Sequence, residues 1–189
     1  MDIMLLALAA LAIAAALTVM LVPRRVQYVE SITIAAPVGE VYDSVRMQET
    51  LMQWSAWPST TGSTCSTENA DGKPGARTVF FSKGKRLGYQ EVTHVVPNTQ
   101  VDIALFSAGP PQKPRMSYMF TSLDAHTTRV DLHWHNEITR PFNVLLRLFG
   151  IVRWTRQMHL KDLDGLKRYC EPPHRTYTGE PVRPVVRAA

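Results

Sequence analysis

Cysteine is scarce in this chain of 189 residues: Cys65 and Cys170 are the only two, far apart and outside any metal-spaced motif. That excludes a disulfide-built secreted scaffold and a cysteine zinc site, suits a reducing compartment, and leaves a single Cys65–Cys170 bridge open. Catalytic signatures are missing as well. No Gly-x-Ser-x-Gly elbow occurs, and Gly84-Lys85 fails as a phosphate loop because Val79 stands where the first glycine belongs. No carboxylate pair falls on a face expected to be internal. No repeat of ~20–50 residues is visible, which removes solenoids and propellers. On these grounds no catalytic residue, cofactor or metal is assigned.

Charge is absent from residues 3–22, twenty positions of Ile, Met, Leu, Ala and Val broken only by Thr18. At about 1.5 Å per residue, a helix of that length spans roughly 30 Å, the thickness of a bilayer's hydrocarbon core. A cleaved signal peptide is the competing reading. Such peptides begin with positive charge and hold a shorter apolar stretch of roughly 7–15 residues, whereas here Asp2 precedes the run and Arg24 and Arg25 follow it. A retained single-pass anchor is therefore expected. Because Lys and Arg flanking a span tend to stay inside, the soluble part is expected on the cytoplasmic side.

The positive charge lies wholly in the soluble part, where 21 basic residues face 15 acidic ones, an excess of six that Asp2 brings to the formal +5 of the whole chain. For a tethered domain the nearest anionic surface is the headgroup layer, worth about 1 kcal/mol per juxtamembrane basic residue, so nucleic acid is not expected as a partner. A generic basic surface explains the same charge.

Beyond the anchor, residues 26–35 alternate loosely and read as a strand that Pro37 stops; Val38, Val41, Tyr42 and Val45 then recur at helical spacing to about Met47. Residues 49–53 predict a further turn or two ending at Trp54, followed by a Ser, Thr, Gly and Pro segment over residues 55–75. Five strands are predicted over residues 76–82, 86–96, 100–106, 115–123 and 128–139, with turn signals at Lys83-Gly84, Pro97-Asn98, Gly109-Pro110-Pro111 and Asp124-Ala125. A sixth is possible near residues 63–69. From Pro141, Leu145, Leu148, Phe149, Val152, Leu160, Leu163 and Leu166 predict a long helix to about Tyr169, weakened locally by Gly150 and Gly165. Residues 172–189, rich in Pro and Arg, cannot build helix or core and are expected to be extended or disordered.

This order of elements, with the strings ITIAAPVGEVYDSV (residues 32–45), LMQWSAWPS (51–59), DGKPGARTVFF (71–81), EVTHVVPNTQVDI (91–103) and LKDLDGLKRYCE (160–171), resembles the START-like or SRPBCC superfamily, also called polyketide cyclase/dehydrase and lipid transport. The resemblance implies an α+β helix-grip fold, a curved antiparallel sheet wrapped around a long C-terminal helix, here preceded by one transmembrane helix. It also implies a mostly apolar pocket, used in different members for lipids, hormones or polyketides and in some for cyclisation. It supplies no catalytic set. The organisation expected is an anchor over residues 1–24, a helix-grip domain over 25–171 and a tail over 172–189.

Alternation along the last strand puts Val130, Leu132, Trp134, Asn136 and Ile138 on one face. If that face is internal, Trp134 supplies an aromatic wall and Asn136 a polar group to orient a ligand, although plain core packing explains Trp134 as well. Trp54 and Trp57 bracket the turn where such a pocket closes; they are candidate gate residues or fillers of the helix–sheet junction. Met116, Tyr118 and Phe120 share one face, and Val79 and Phe81 another, all candidate wall. Val152 lies on the apolar stripe of the long helix. Gln90, Asn136 and Arg156 are candidate polar donors; Arg156 either enters the cavity to hold a carboxylate or belongs with Arg147, Arg153, His159 and Lys161 to a basic stripe that is simply solvated or meets anionic headgroups. His133, His135 and Glu137 resemble a metal set, but Arg129 on the same face marks a solvated sheet surface.

The function expected is a membrane-anchored binder of a hydrophobic small molecule or lipid, not an enzyme. A cyclase- or hydratase-like enzyme and an accessory subunit of a membrane protein complex are the alternatives.

Overall fold

The computed structural model describes residues 2–107 and 112–171. The apolar run forms α1 (Asp2–Leu21), long and apolar enough to cross a membrane, with its described side chains exposed along nearly the whole length. The chain then enters β1 (Arg25–Ile34), followed by α2 (Val38–Arg46), a 3-10 turn over Gln48–Thr50, α3 (Leu51–Trp54) and α4 (Ala56–Thr61). Six more strands follow: β2 (Thr64–Glu68), β3 (Arg77–Ser82), β4 (Lys85–Val96), β5 (Gln100–Ser107), β6 (Arg115–Asp124) and β7 (Thr127–Glu137). The described chain closes with α5 (Phe142–Leu148) and α6 (Ile151–Cys170).

The seven strands form one antiparallel sheet in the order β1-β7-β6-β5-β4-β3-β2. Strands adjacent in sequence pair by hairpins from β2 to β7, and the first strand closes onto the last in full register, Arg25 opposite Glu137 and Ile34 opposite Thr128. The helices α2 to α4 cross from one sheet edge to the other. Register shifts at Phe80/Phe81, Val92/His94 and Ser122/Asp124 interrupt the ladders, and such bulges bend the strands that carry them. α6 lies along β1, tied at Tyr28 through His159, at Glu30 through Arg156, at the Thr33 carbonyl through Lys167 Nζ (2.8 Å) and at the Ala35 amide through Glu171. Val41, Val92, Val101, Val130, Leu132, Leu163 and Leu166 form the centre of the core between sheet and helices.

This is the expected α+β helix-grip architecture, with two local departures. Residues 55–75, read as a Ser, Thr, Gly and Pro segment with a possible strand near 63–69, hold β2 at that place and, unexpectedly, α4. Ser55 caps α4, its hydroxyl accepting from the Trp57 amide (3.3 Å), and β2 is fixed by pairing with β3 from Thr64 opposite Phe81 to Glu68 opposite Arg77. The helix expected to run from Pro141 is also interrupted: Gly150 adopts φ +70°, a left-handed conformation that ends α5 and lets α6 start in a new direction. The Gly109-Pro110-Pro111 turn and the tail over residues 172–189 lie outside the described residues. Cys65 and Cys170 are free thiols.

Gly165 has a different role from Gly150. It is buried on α6 where the helix passes the end of α3, and a Cβ there would stand 2.0 Å from the Trp54 carbonyl oxygen. In an open helix Gly→Ala gains roughly 1 kcal/mol. Here the clash is with backbone, so Gly165→Ala is expected to destabilise the domain by about 1–3 kcal/mol, read as a lower urea midpoint at unchanged slope; an equal or higher midpoint would show that α6 does not pack this closely.

Candidate functional site: an apolar cavity at one end of the sheet

Between the sheet and the cover formed by α3, α4 and α6 lies a cavity of about 450 Å3. Its walls follow from strand alternation: Gln90 on β4, Ile103 and Leu105 on β5, Met116 and Tyr118 on β6, and Trp134 and Asn136 on β7 all point to the concave side, every second residue along each strand. The helices add Trp54, Trp57, Val152, Trp154, His159 and Asp162. The result is largely aromatic and aliphatic, with a few polar groups set into it.

Of the residues singled out from sequence, Trp54, Trp57, Gln90, Tyr118, Trp134, Asn136 and Val152 line this cavity. Phe81, Phe120 and Arg156 do not. On β3 the inward parity belongs to Thr78 and Phe80, because the Thr78 hydroxyl donates to buried Gln48 Oε1 (3.1 Å) and the bulge that follows turns Phe81 away. Phe120 is buried further along β6, where its ring meets Tyr42 edge-on at 5.7 Å, so it is core and not wall. Arg156 sits at the exposed edge of α6, paired with Glu30 and lying over the Tyr28 ring. The carboxylate-holding role is thereby removed: its charge is already taken up outside the cavity. Gln90 donates to Gln48 Oε1 (2.7 Å), and Asn136 Nδ2 donates to Gln112 Oε1 (2.9 Å).

His133, His135 and Glu137 share the opposite face of β7. His135 Nδ1 lies 2.6 Å from Gln27 Nε2, and Glu137 pairs with Arg24 at 3.4 Å. Among the described residues no three metal-ligating side chains gather around one point.

His159 and Asp162 also line the cavity, although the sequence reads His159 only as part of the basic stripe on the long helix and does not single out Asp162. His159, with 0% of its surface exposed, packs its ring 4.5 Å from Trp134 and within about 6 Å of Tyr28 and Trp57. Its Nδ1 shares a 2.8 Å hydrogen bond with the Tyr28 hydroxyl, and its Nε2 is buried without a partner. Asp162, one turn on, accepts from the Ser55 hydroxyl (3.0 Å), the Ala56 amide (2.7 Å) and the Trp57 side chain. A signal for both was present: four residues before Leu163 and Leu166 on a helix are positions 159 and 162, on the same buried face. Instead, Leu160 had been placed on that face, and it is exposed.

Burial dominates the electrostatics. It lowers the His159 imidazole to about 4 and raises the Asp162 carboxyl to about 7, against the hydrogen bonds from Ala56, Ser55 and Trp57 that favour its ionised form. The Tyr118 phenol is raised well above the usual range by burial and by the nearby Asp162. At neutral pH the cavity thus holds a neutral imidazole with one free ring nitrogen, a phenol, an amide oxygen on Asn136 without a partner, and a carboxyl poised near its midpoint.

An antiparallel sheet gripping a long helix over an apolar cavity is a fold of the ligand-binding or cyclase-like kind. The chain belongs to the polyketide cyclase/dehydrase and lipid transport family, whose profile matches residues 25–171. Among curated proteins none matches it. Solved structures with the same fold include protein CV1439 from Chromobacterium violaceum (17% identity, TM-score 0.54, 80% of this chain and 99% of that one). A protein from Thermobifida fusca is similar too (15%, TM-score 0.57, 76% and 91%). So is norcoclaurine synthase from Thalictrum flavum (10%, TM-score 0.60, 79% and 96%). At these identities the likeness is one of fold.

The two buried groups give opposite pH dependences. Asp162 stabilises the fold while protonated, and that contribution is lost as pH rises from 3.8 towards 7; His159, kept neutral, costs stability as pH falls from 6.5 towards 4. Between pH 4 and 6.5 the slopes offset each other. His159→Gln removes one of them, so relative to the parent its unfolding free energy should fall with rising pH, by on the order of 1 kcal/mol per pH unit. Denaturant titrations across that range measure the difference; parallel profiles would mean that the imidazole is not held neutral in the fold.

Proposed function

We propose that this protein is a membrane-anchored binder of a hydrophobic small molecule or lipid carrying one hydrogen-bonding group. The observation that carries the reading is the cavity itself: about 450 Å3 of space, inside the roughly 300–1,000 Å3 usual for small-molecule sites, left open within an otherwise packed domain. The apolar walls suit the body of such a ligand. The free His159 Nε2 and Asn136 Oδ1 suit its polar group, since each would otherwise stay buried and unpaired at a cost of about 1–3 kcal/mol. The apolar helix α1 supports attachment to a membrane, and Arg24 and Arg25 after it support a cytoplasmic domain.

Native mass spectrometry of the full chain, extracted in mild detergent, is expected to reveal an apolar adduct, and Leu105→Trp, which fills the cavity, is expected to remove it. Bare masses for both proteins, with no uptake of a polarity-sensitive apolar dye by either, would refute the binder.

A cyclase-like enzyme is the second reading, favoured by the hydrogen bond between cavity-lining His159 and Tyr28 on β1, a neutral imidazole beside a phenol of the kind that moves protons. It predicts that His159→Gln retains ligand while turnover of a bound polyketide or phenolic aldehyde is lost; unchanged turnover in that variant would remove the imidazole from any mechanism.

A further inference from the structure

The strands deliver their cavity residues from one end of the sheet only. Val26 opens β1; Gly88, Tyr89 and Gln90 lie near the start of β4; Leu105, Phe106 and Ser107 end β5; Pro114 and Met116 open β6; Trp134 and Asn136 end β7. In an antiparallel sheet these starts and ends coincide, and this is the end at which β1 leaves α1. Tyr118, further along β6, is fully buried and marks the depth of the cavity. The cavity therefore opens towards α1, not away from it.

The junction between them is short and fastened. Only Val22, Pro23 and Arg24 separate α1 from β1. Carbonyls at the end of α1, in the link and at the start of β1 are taken up by α5 and by Arg140 just ahead of it: Arg140 Nη2 donates to Met20 O (2.6 Å), Asn143 Nδ2 to Val22 O (2.9 Å), and Arg147 Nη2 to Pro23 O (3.3 Å) and Arg25 O (3.1 Å). Cationic and amide donors on orphan C-terminal carbonyls satisfy groups that the helix cannot. α5 is thus held at the level where the apolar span ends.

Beside this junction the elbow between α5 and α6 presents large apolar side chains to the outside. Leu148 and Phe149 are 76% and 73% exposed, and Ile151 and Trp154 are also exposed. Val152 and Trp154 line the cavity mouth, where Trp154 meets Trp57 edge-on at 5.2 Å. On the strand side, exposed Leu87 and Phe106 form the facing lip. Basic residues flank the patch: Arg24, Arg25, Arg147 and Arg153, with Lys113 across the mouth. Glu137, the acid beside them, is paired with Arg24. Asp124 and Glu171 lie at the opposite end, by the β6–β7 hairpin and the end of β1. Exposed aromatic and aliphatic residues ringed by arginines, fixed at the end of an apolar span, match the border between headgroups and acyl chains of an anionic leaflet.

We propose that the α5–α6 elbow inserts into the anionic phospholipid leaflet that holds α1, so that the cavity opens onto the bilayer and takes its ligand from it. This rests on the anchored-binder reading for the identity of the cargo, but the insertion is testable separately. The full chain, with Cys65→Ser and Cys170→Ser, is reconstituted in phosphatidylcholine–phosphatidylglycerol vesicles and labelled with a fluorophore at Phe149→Cys, at Leu123→Cys on the distal end of β6, or at Leu11→Cys within α1. Acyl-chain-brominated lipid is expected to quench the labels at 11 and 149 severalfold more than the label at 123, and Leu148→Asp is expected to slow transfer of an apolar dye from vesicles severalfold while leaving dye uptake in detergent unchanged. Quenching at 11 without quenching at 149 overturns the insertion and leaves the binder standing. A label at 149 shielded from iodide but untouched by bromolipid also overturns it, showing that protein, such as a second copy, covers the elbow. Quenching at 149 with no dye uptake under any condition upholds the insertion and overturns the binder instead.

Discussion

A buried carboxylate holds the cover of this domain to its long helix. Asp162, buried at the cavity wall, reaches from α6 into the start of α4 and accepts from the Ser55 hydroxyl, the Ala56 amide and the Trp57 side chain. Once that contact is made, α4 is pinned to α6, Trp57 is turned into the cavity mouth, and the Trp54 carbonyl comes close enough to α6 that only glycine fits at position 165. The sheet can then close over α6 from the other side. The arrangement holds a carboxyl in a place that raises it to about 7, a cost tolerated because three donors meet it there.

The cavity persists for a related reason. Packing in a domain interior is normally dense, and collapse of this space would require α6 to move towards β5 and β6. α6 is instead fixed to β1 along its length, through His159, Arg156, Lys167 and Glu171, and to the α4 end through Asp162. The polar contacts are spaced along the helix and hold it off the middle of the sheet, where Ile103, Leu105 and Met116 look across open space. The same polar contacts leave one nitrogen of His159 unpaired in that space, so that scaffold and candidate binding group are one set of residues.

Geometry at the sheet end gives the molecule a polarity that charge alone does not reveal. Arg140, Asn143 and Arg147 join the end of α1 to α5, and α5 leads through Gly150 into the helix that walls the cavity. Anchor, elbow and cavity mouth are thus consecutive along one short path of structure, and the left-handed turn at Gly150 is what brings Leu148 and Phe149 outward while Val152 faces in.

Much of this was legible in the sequence. A charge-free apolar run of twenty residues broken only by Thr18, strict alternation over Val130, Leu132, Trp134 and Asn136, and the Pro-opened helices are local patterns whose period dictates the element, and they determined most of the order of elements and which residues of β6 and β7 share a face; the helix-grip class came from the family resemblance of the strings between them. Other features depended on contacts between distant residues. The parity of β3 was set by the Thr78 hydrogen bond to Gln48, which placed Phe80 inside and Phe81 outside. Arg156 was drawn to Glu30 on a strand 126 residues away and never entered the cavity. His159 and Asp162 became interior groups because α6 packs with that face on the sheet, a stripe that Leu163 and Leu166 signal in the sequence but that Leu160, exposed in the fold, points away from. Periodicity tells a chain which elements to form; the direction each side chain finally points is decided by the polar groups that meet it across the fold, since a buried donor or acceptor must find a partner or remain at a cost.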